Sequence, residues 1–206
     1  MIQVFSMDQG GDEWLQARLG IPTASKFATV MAKGEGKIRS EYMRKLAGEI
    51  ITGEPAETFS TAHMERGKMM EDEARRTYAF IHDVEPEQVG FIRNGSKGAS
   101  PDSLIGENGG LEIKTALPHI QIDRLERDRL PPEHKAQVQG NLWVSEREWW
   151  DFVSYWPRLP MLCVRVYRDE EYIKTLSDEI DRFNDELAAL VERICAYGQD
   201  PRKEAA

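Results

Sequence analysis

The sequence predicts an α/β or α+β domain with a central mixed β-sheet flanked by helices. Three observations predict it. Apolar residues recur with a helical period towards both ends of the chain, β-branched and aromatic runs are confined to the middle, and glycine and proline breaks separate those runs. The 206 residues, 40% of them hydrophobic, fit a single domain spanning 1–206 with one ordinary core.

Residues 11–19 predict a short helix with Asp12 as a possible cap, and 23–32 a second with Thr23 or Ser25 at its start. A basic, glycine-rich loop, KGEGKIRS, follows. Residues 40–52 are amphipathic, with Tyr42, Leu46 and Ile50 on one face and Gly53 as the stop. Residues 53–60 predict a loop, and 62–82 a long helix on which Met70, Ala74, Tyr78 and Ile81 keep the period. The period then changes. Residues 88–93 predict a strand, 98–106 a strand broken by Pro101 and Asp102, and 109–116 a strand after a glycine turn. Residues 132–144 predict a helix with Pro132 in its first turn. Residues 148–156 and 161–168 are aromatic and β-branched strands, and an acidic helix at about 169–197 closes the chain.

No run of 18 apolar residues spans a membrane, and the N-terminus lacks the basic and apolar regions of a secretory signal, so a cytoplasmic protein is expected. Cys163 and Cys195, far apart, read as reduced core cysteines. The net charge of -9 weighs against broad, non-specific nucleic-acid binding. It is unevenly spread: residues 170–206 hold 10 acidic and 5 basic side chains. Carboxylates that bind divalent cations also cease to repel phosphate once the metal is in place. A phosphate-processing site therefore stays open.

The chemistry concentrates in SPDSLIGENGGLEIKT. Asp102 follows a proline at the end of one strand, and Glu112 and Lys114 lie two apart on the next, hence on one face. The turn at 107–110 lets the strands pair as a hairpin, so that Asp102 and Glu112 converge. Two carboxylates and the Ile113 carbonyl suit a hard cation such as magnesium or manganese, and no Cys/His cluster suggests zinc. Glu-x-Lys alone also arises on any solvated strand. His63, His82, His119 and His134 form no ligand spacing and read as surface or loop residues, His134 being the one nearest a motif. The aromatic run at 148–156 reads as packing rather than base stacking.

The PD…(D/E)xK arrangement resembles that of the restriction-endonuclease-like nucleases, and the wider pattern resembles the phage lambda exonuclease family, the YqaJ-type viral recombinases. Five stations in order, RLGIPTASKF, RGKMMEDEA, GASPDSL, LEIKT and AQVQGNLWV, carry the resemblance across residues 12–195. It implies two magnesium ions per site, held by Asp102, Glu112, the Ile113 carbonyl and, directly or through water, Glu71. It implies Lys114 as the catalytic lysine and Gln137 as a glutamine close to the scissile end. It places Arg18, Ser25 and Gln137 around the terminal 5′-phosphate of the substrate, for which a planar guanidinium fork and a helix start are chemically apt. The implied activity is 5′-to-3′ digestion of one strand of linear duplex DNA to mononucleotides, leaving a 3′ single-stranded tail. The implied assembly is a homotrimeric ring enclosing DNA, with a single-strand annealing protein as partner in a phage or prophage recombination system. An endonuclease with the same site, and a non-catalytic scaffold that binds DNA ends, are the alternatives.

Overall fold

The computed structural model describes residues 1–32, 36–56 and 62–197, with only the backbone for 62–66 and 68, so His63 and parts of the two expected loops lie outside the described side chains or residues. Within them, β1 (Ile2–Phe5) is followed by α1 (Asp12–Ala17), a 3-10 turn (Ala24–Lys26) and α2 (Phe27–Met31). Then come α3 (Lys37–Thr52), α4 (Ala62–His82), β2 (Pro86–Glu87), β3 (Phe91–Asn94), β4 (Lys97–Ala99), β5 (Ser103–Ile105) and β6 (Gly109–Thr115). The chain continues through α5 (Pro118–Arg127), a 3-10 turn (Pro132–His134), α6 (Lys135–Ser145), β7 (Trp149–Tyr155), β8 (Leu162–Tyr167) and α7 (Glu170–Tyr197).

The expected mixed sheet has the order β2-β5-β6-β7-β8, with β6 and β7 parallel and the other pairs antiparallel. The parallel pair needs a crossover, and α5 and α6 supply it. A smaller antiparallel sheet, β1-β3-β4, was not foreseen. The expected broken strand at 98–106 proves to be two strands in different sheets, and the chain crosses between them at Ser100–Asp102. The strand expected at 88–93 begins only at Phe91, the helix expected at 23–32 is a 3-10 turn running into a short α-helix, and α3 takes in the end of KGEGKIRS.

The five-stranded sheet is covered on both faces. Ala74 and Tyr78 of α4 pack on Leu111, Ile113, Val153 and Tyr155. On the other face Trp150 and Phe152 meet Val138 and Leu142 of α6 and the α7 stripe Leu176, Ile180 and Phe183. Gly140 lets α6 approach the start of α2, because a Cβ there would come within 2.5 Å of the Phe27 ring. Gly53 ends α3 in the left-handed region at φ 73°. Ile50 and Ile81, expected on inward faces, are exposed. So is Cys195; Cys163 is half-buried on β8, where burial and then Asp151 push its thiol up to about 12.

Candidate active site

The hairpin forms as expected, with Ser103 paired to Leu111 and Ile105 to Gly109. Extending that register by one pair sets Asp102 across from Glu112, at the end of β5 where the chain has just left the smaller sheet. Asp102 Oδ2 accepts the Ile113 N–H at 2.5 Å, fixing the carboxylate against β6. Period two puts Glu112 and Lys114 on the face towards α6, and Lys114 Nζ lies 2.6 Å from Glu112 Oε1. Ile113 turns its side chain into the α4 face.

Glu112 is buried, 2% exposed, and every bond it accepts is from a site residue. Its Oε1 takes Lys114 and also Gln137 Nε2 at 2.5 Å, and its Oε2 takes Asn141 Nδ2 at 3.0 Å. Glu71 approaches from α4, held by Arg75 Nη2 at 2.6 Å. The same guanidinium binds Asp72 and donates from Nε to Ser103 Oγ, and Ser103 in turn donates to the Asp102 carbonyl. A cavity of about 440 Å³ opens beside Glu71 and Asp102, walled by Arg75, Gln88 and the Ser6–Gln9 segment.

The charges are mutually strained. Burial, then Glu112 and Glu71, hold the Asp102 carboxyl well above the usual carboxylate range, against the opposing pull of Lys114 and the Ile113 N–H. Burial likewise raises Glu71, opposed by Arg75 and reinforced by Glu112. For Lys114, burial acts to lower the pKa, but the summed attraction of Glu112, Asp102 and Glu71 prevails and raises it, so it remains an ammonium. Among the described residues no three carboxylate, imidazole or thiol groups already surround one point. Glu71 is engaged by Arg75 and Glu112 by its three donors. The donor set nevertheless fits a hard divalent cation, since it is all oxygen, and burial first and neighbouring carboxylates second raise Asp102 and Glu71, which a bound cation would oppose.

Arg18 and Ser25 come together through Thr23: Arg18 Nη2 lies 3.5 Å from Thr23 Oγ1, which lies 3.4 Å from Ser25 Oγ. Arg18 stacks on Trp14 at 3.7 Å, and burial pulls its pKa down while Tyr42 and Glu49 push the other way. Among the described residues no carboxylate is within ion-pair distance of it. An aligned, partly desolvated cation of this kind suits an anionic ligand. Trp14 Nε1 bonds the Gly90 carbonyl and Ser100 Oγ, both at 3.0 Å, tying this corner to the segment that carries Asp102. Arg18 and Thr23 line a 370 Å³ cavity with Lys26, Lys45 and Tyr42. Gln137 lies instead on Glu112, without a described contact to Arg18 or Ser25.

Sequence reasoning missed Asn141, Arg75, Ser103, Thr23, Lys26 and Lys45. Asn141 had a signal, being one helical turn beyond Gln137 and so on the same face. His134, expected at the surface, is half-buried, stacked on Phe152 with ring centroids 5.0 Å apart.

A mixed sheet that delivers P-D and E-x-K to one point between two helix layers defines the class: a restriction-endonuclease-like PD…(D/E)xK nuclease. Residues 13–148 match the YqaJ-like viral recombinase domain, more than half of the chain, and the chain therefore belongs to that family. The alkaline exonuclease LHK-Exo, from Laribacter hongkongensis, in a structure with dAMP, has a TM-score of 0.85 and 34% identity, over 92% of this chain and 98% of that one. A second structure of LHK-Exo has a TM-score of 0.83 and 32% identity, over the same shares of the two chains. A phage related exonuclease from Haemophilus somnus shares the fold at 13% identity, with a TM-score of 0.66 over 84% of this chain and 96% of that one. No protein with a curated description matches.

Proposed function

We propose that this protein is a magnesium-dependent exodeoxyribonuclease. It digests linear double-stranded DNA from 5′ to 3′ by phosphodiester hydrolysis, releases 5′-mononucleotides and leaves a 3′ single-stranded tail for phage-type recombination. The observation that carries the reading is the convergence of Asp102, Glu112 and Lys114, with Gln137 on the same carboxylate. The 34% identity to LHK-Exo, whose structure holds dAMP, a nucleoside monophosphate, supports both the nuclease class and the product.

Asp102, Glu112, the Ile113 carbonyl and Glu71, directly or through water, would hold two magnesium ions, with manganese an alternative. Bound there, the metal supplies Lewis-acid polarisation of the phosphoryl group and lowers the pKa of water. The protein's own groups do the rest. Lys114, kept cationic by the carboxylates around it, donates to the oxygens on which charge builds at the phosphorus. Gln137 presents its amide at the same edge of Glu112. Arg18, with Ser25 and Thr23, offers charge and hydroxyls to the terminal 5′-phosphate, and in this proposal that grip draws the strand forward after each cut. Family membership also supports a homotrimeric ring around the duplex, a single-strand annealing partner and a phage or prophage origin.

End-labelled linear duplex and covalently closed circular DNA, each with magnesium, test the reading. Release of labelled mononucleotide from the linear substrate alone is expected, and cutting of the closed circle makes the protein an endonuclease. Asp102→Ala and Lys114→Ala should lose cleavage by at least about 100-fold while remaining folded by circular dichroism. Retained activity in either variant removes the proposed site.

A further inference from the structure

We propose that Asn141 is a positioning residue for the metal centre: its amide fixes the one oxygen of Glu112 that is free to bind a cation. The inference rests on the reading of Glu112 as a metal ligand. An ionised carboxylate has two acceptor lone pairs on each oxygen. On Glu112 Oε1, Lys114 at 2.6 Å and Gln137 at 2.5 Å take both. On Oε2 the sole described donor is Asn141 at 3.0 Å, so one lone pair is left there. Any cation that Glu112 binds without displacing Lys114 or Gln137 must use that lone pair, and Asn141 sets its direction.

The carboxylate cannot set the direction itself. The terminal torsion of a glutamate is broad and two-fold, so its plane is fixed only by what its oxygens touch. Two donors on Oε1 define one end, and Asn141 defines the other. Water is a poor substitute, because Asn141 is 1% exposed and Glu112 2%. Asn141 is itself held firmly. It lies one turn after Gln137 on α6, and its neighbour Gly140 allows that helix to seat against Phe27 and Ala24. An amide donates to the carboxylate without adding charge, so it orients Glu112 and leaves the negative charge that a cation needs. A lysine in its place would neutralise the ligand.

The test is direct binding of manganese to the full chain without DNA, followed by electron paramagnetic resonance of the free ion, alongside magnesium titrations of cleavage. Asn141→Leu keeps the volume and removes the donor. It should weaken manganese binding at least about 10-fold and raise the magnesium concentration for half-maximal cleavage similarly, while kcat at saturating metal returns towards that of the wild type. Asn141→Ser, smaller and able to donate only through water, should fall between the two and guards against a packing failure of the leucine variant. Glu112→Gln should abolish binding. If both Asn141 variants bind manganese like the wild type while Glu112→Gln does not, the positioning role is wrong and the metal centre stands. A fall in kcat with unchanged metal affinity likewise overturns it. Wild-type manganese binding by Glu112→Gln overturns both readings together.

Discussion

His134 is a neutral ring wedged among cations. Its Nε2 lies 3.0 Å from Arg124 Nη2, and because a guanidinium only donates, the imidazole must accept there and carry its proton on Nδ1. Burial first, then Lys114 and Arg124, push its pKa from the usual 6.5 down to about 4. The folded state thus binds this proton less readily than the unfolded chain. The associated stability is complete above about pH 6.5 and drains away as the pH falls towards 4. His134→Gln, which still offers an acceptor to Arg124, should flatten that loss, seen as a smaller drop in Tm between pH 7.5 and 4.5 than in the wild type. Parallel curves would refute the assignment. Arg18 makes a different residue-scale prediction. Arg18→Ala should slow digestion of 5′-phosphorylated duplex at least about 10-fold more than that of 5′-hydroxyl duplex, from the loss of a charge-assisted fork. Equal losses on the two substrates would dissolve the phosphate pocket. These residues were unequally legible. Glu112 and Lys114 could be paired from the sequence because strand period alone fixes their shared face. His134 could not be placed, because its environment is made by Phe152 and Arg124 from other elements.

At the scale of elements, α4 is fastened to the sheet by more than apolar contact. Asp151 on β7 is 1% exposed, yet it accepts Tyr78 Oη from α4 at 2.6 Å and both ends of the Arg165 guanidinium from β8, at 2.9 and 2.8 Å. A buried carboxylate is tolerable only when so satisfied. Tyr78→Phe removes one charged hydrogen bond and little volume, so it should cost about 1.5–3 kcal/mol. A lowered urea midpoint at unchanged slope would show this, whereas an unchanged midpoint would mean that Arg165 alone satisfies Asp151. Elements that bury apolar stripes were readable: α7 repeats Ile173, Leu176, Ile180, Phe183 and Leu187 at helical spacing, and β7 and β8 are rich in aromatic and β-branched residues. The helix α5 was missed because its inward face uses polar groups. Gln121, fully buried, donates to the Ser154 and Pro160 carbonyls, and Arg124 donates to Ser154 Oγ, so no apolar stripe marks the helix. The strands β1 and β2 are too short to show a period, and no local pattern announces that the chain changes sheets at Pro101.

Over the whole molecule the charge of -9 opposes DNA, yet residues 170–206, with 10 acidic and 5 basic side chains, hold more than half of the excess. What matters for stability is the smaller concentration of charge at the site. Folding buries Asp102 and Glu71 and sets them near Glu112, which raises both, by burial first and repulsion second, and costs free energy that the unfolded chain does not bear. A cation that binds beside these carboxylates in the folded chain alone must stabilise the folded state. At a free concentration of 100 times its Kd the gain is about 2.7 kcal/mol. For a chain of this length each kcal/mol moves Tm by about 2–4 °C, so magnesium should raise Tm by about 5–10 °C over the metal-free protein. Asp102→Asn keeps the shape and an acceptor for the Ile113 N–H but removes one of the repelling charges. Its metal-free Tm should equal or exceed that of the wild type, and its response to magnesium should be lost. The two shifts have opposite signs, so general destabilisation cannot imitate them. A variant that melts lower without metal, or still gains the full increment with it, would show that these carboxylates do not form the cation site.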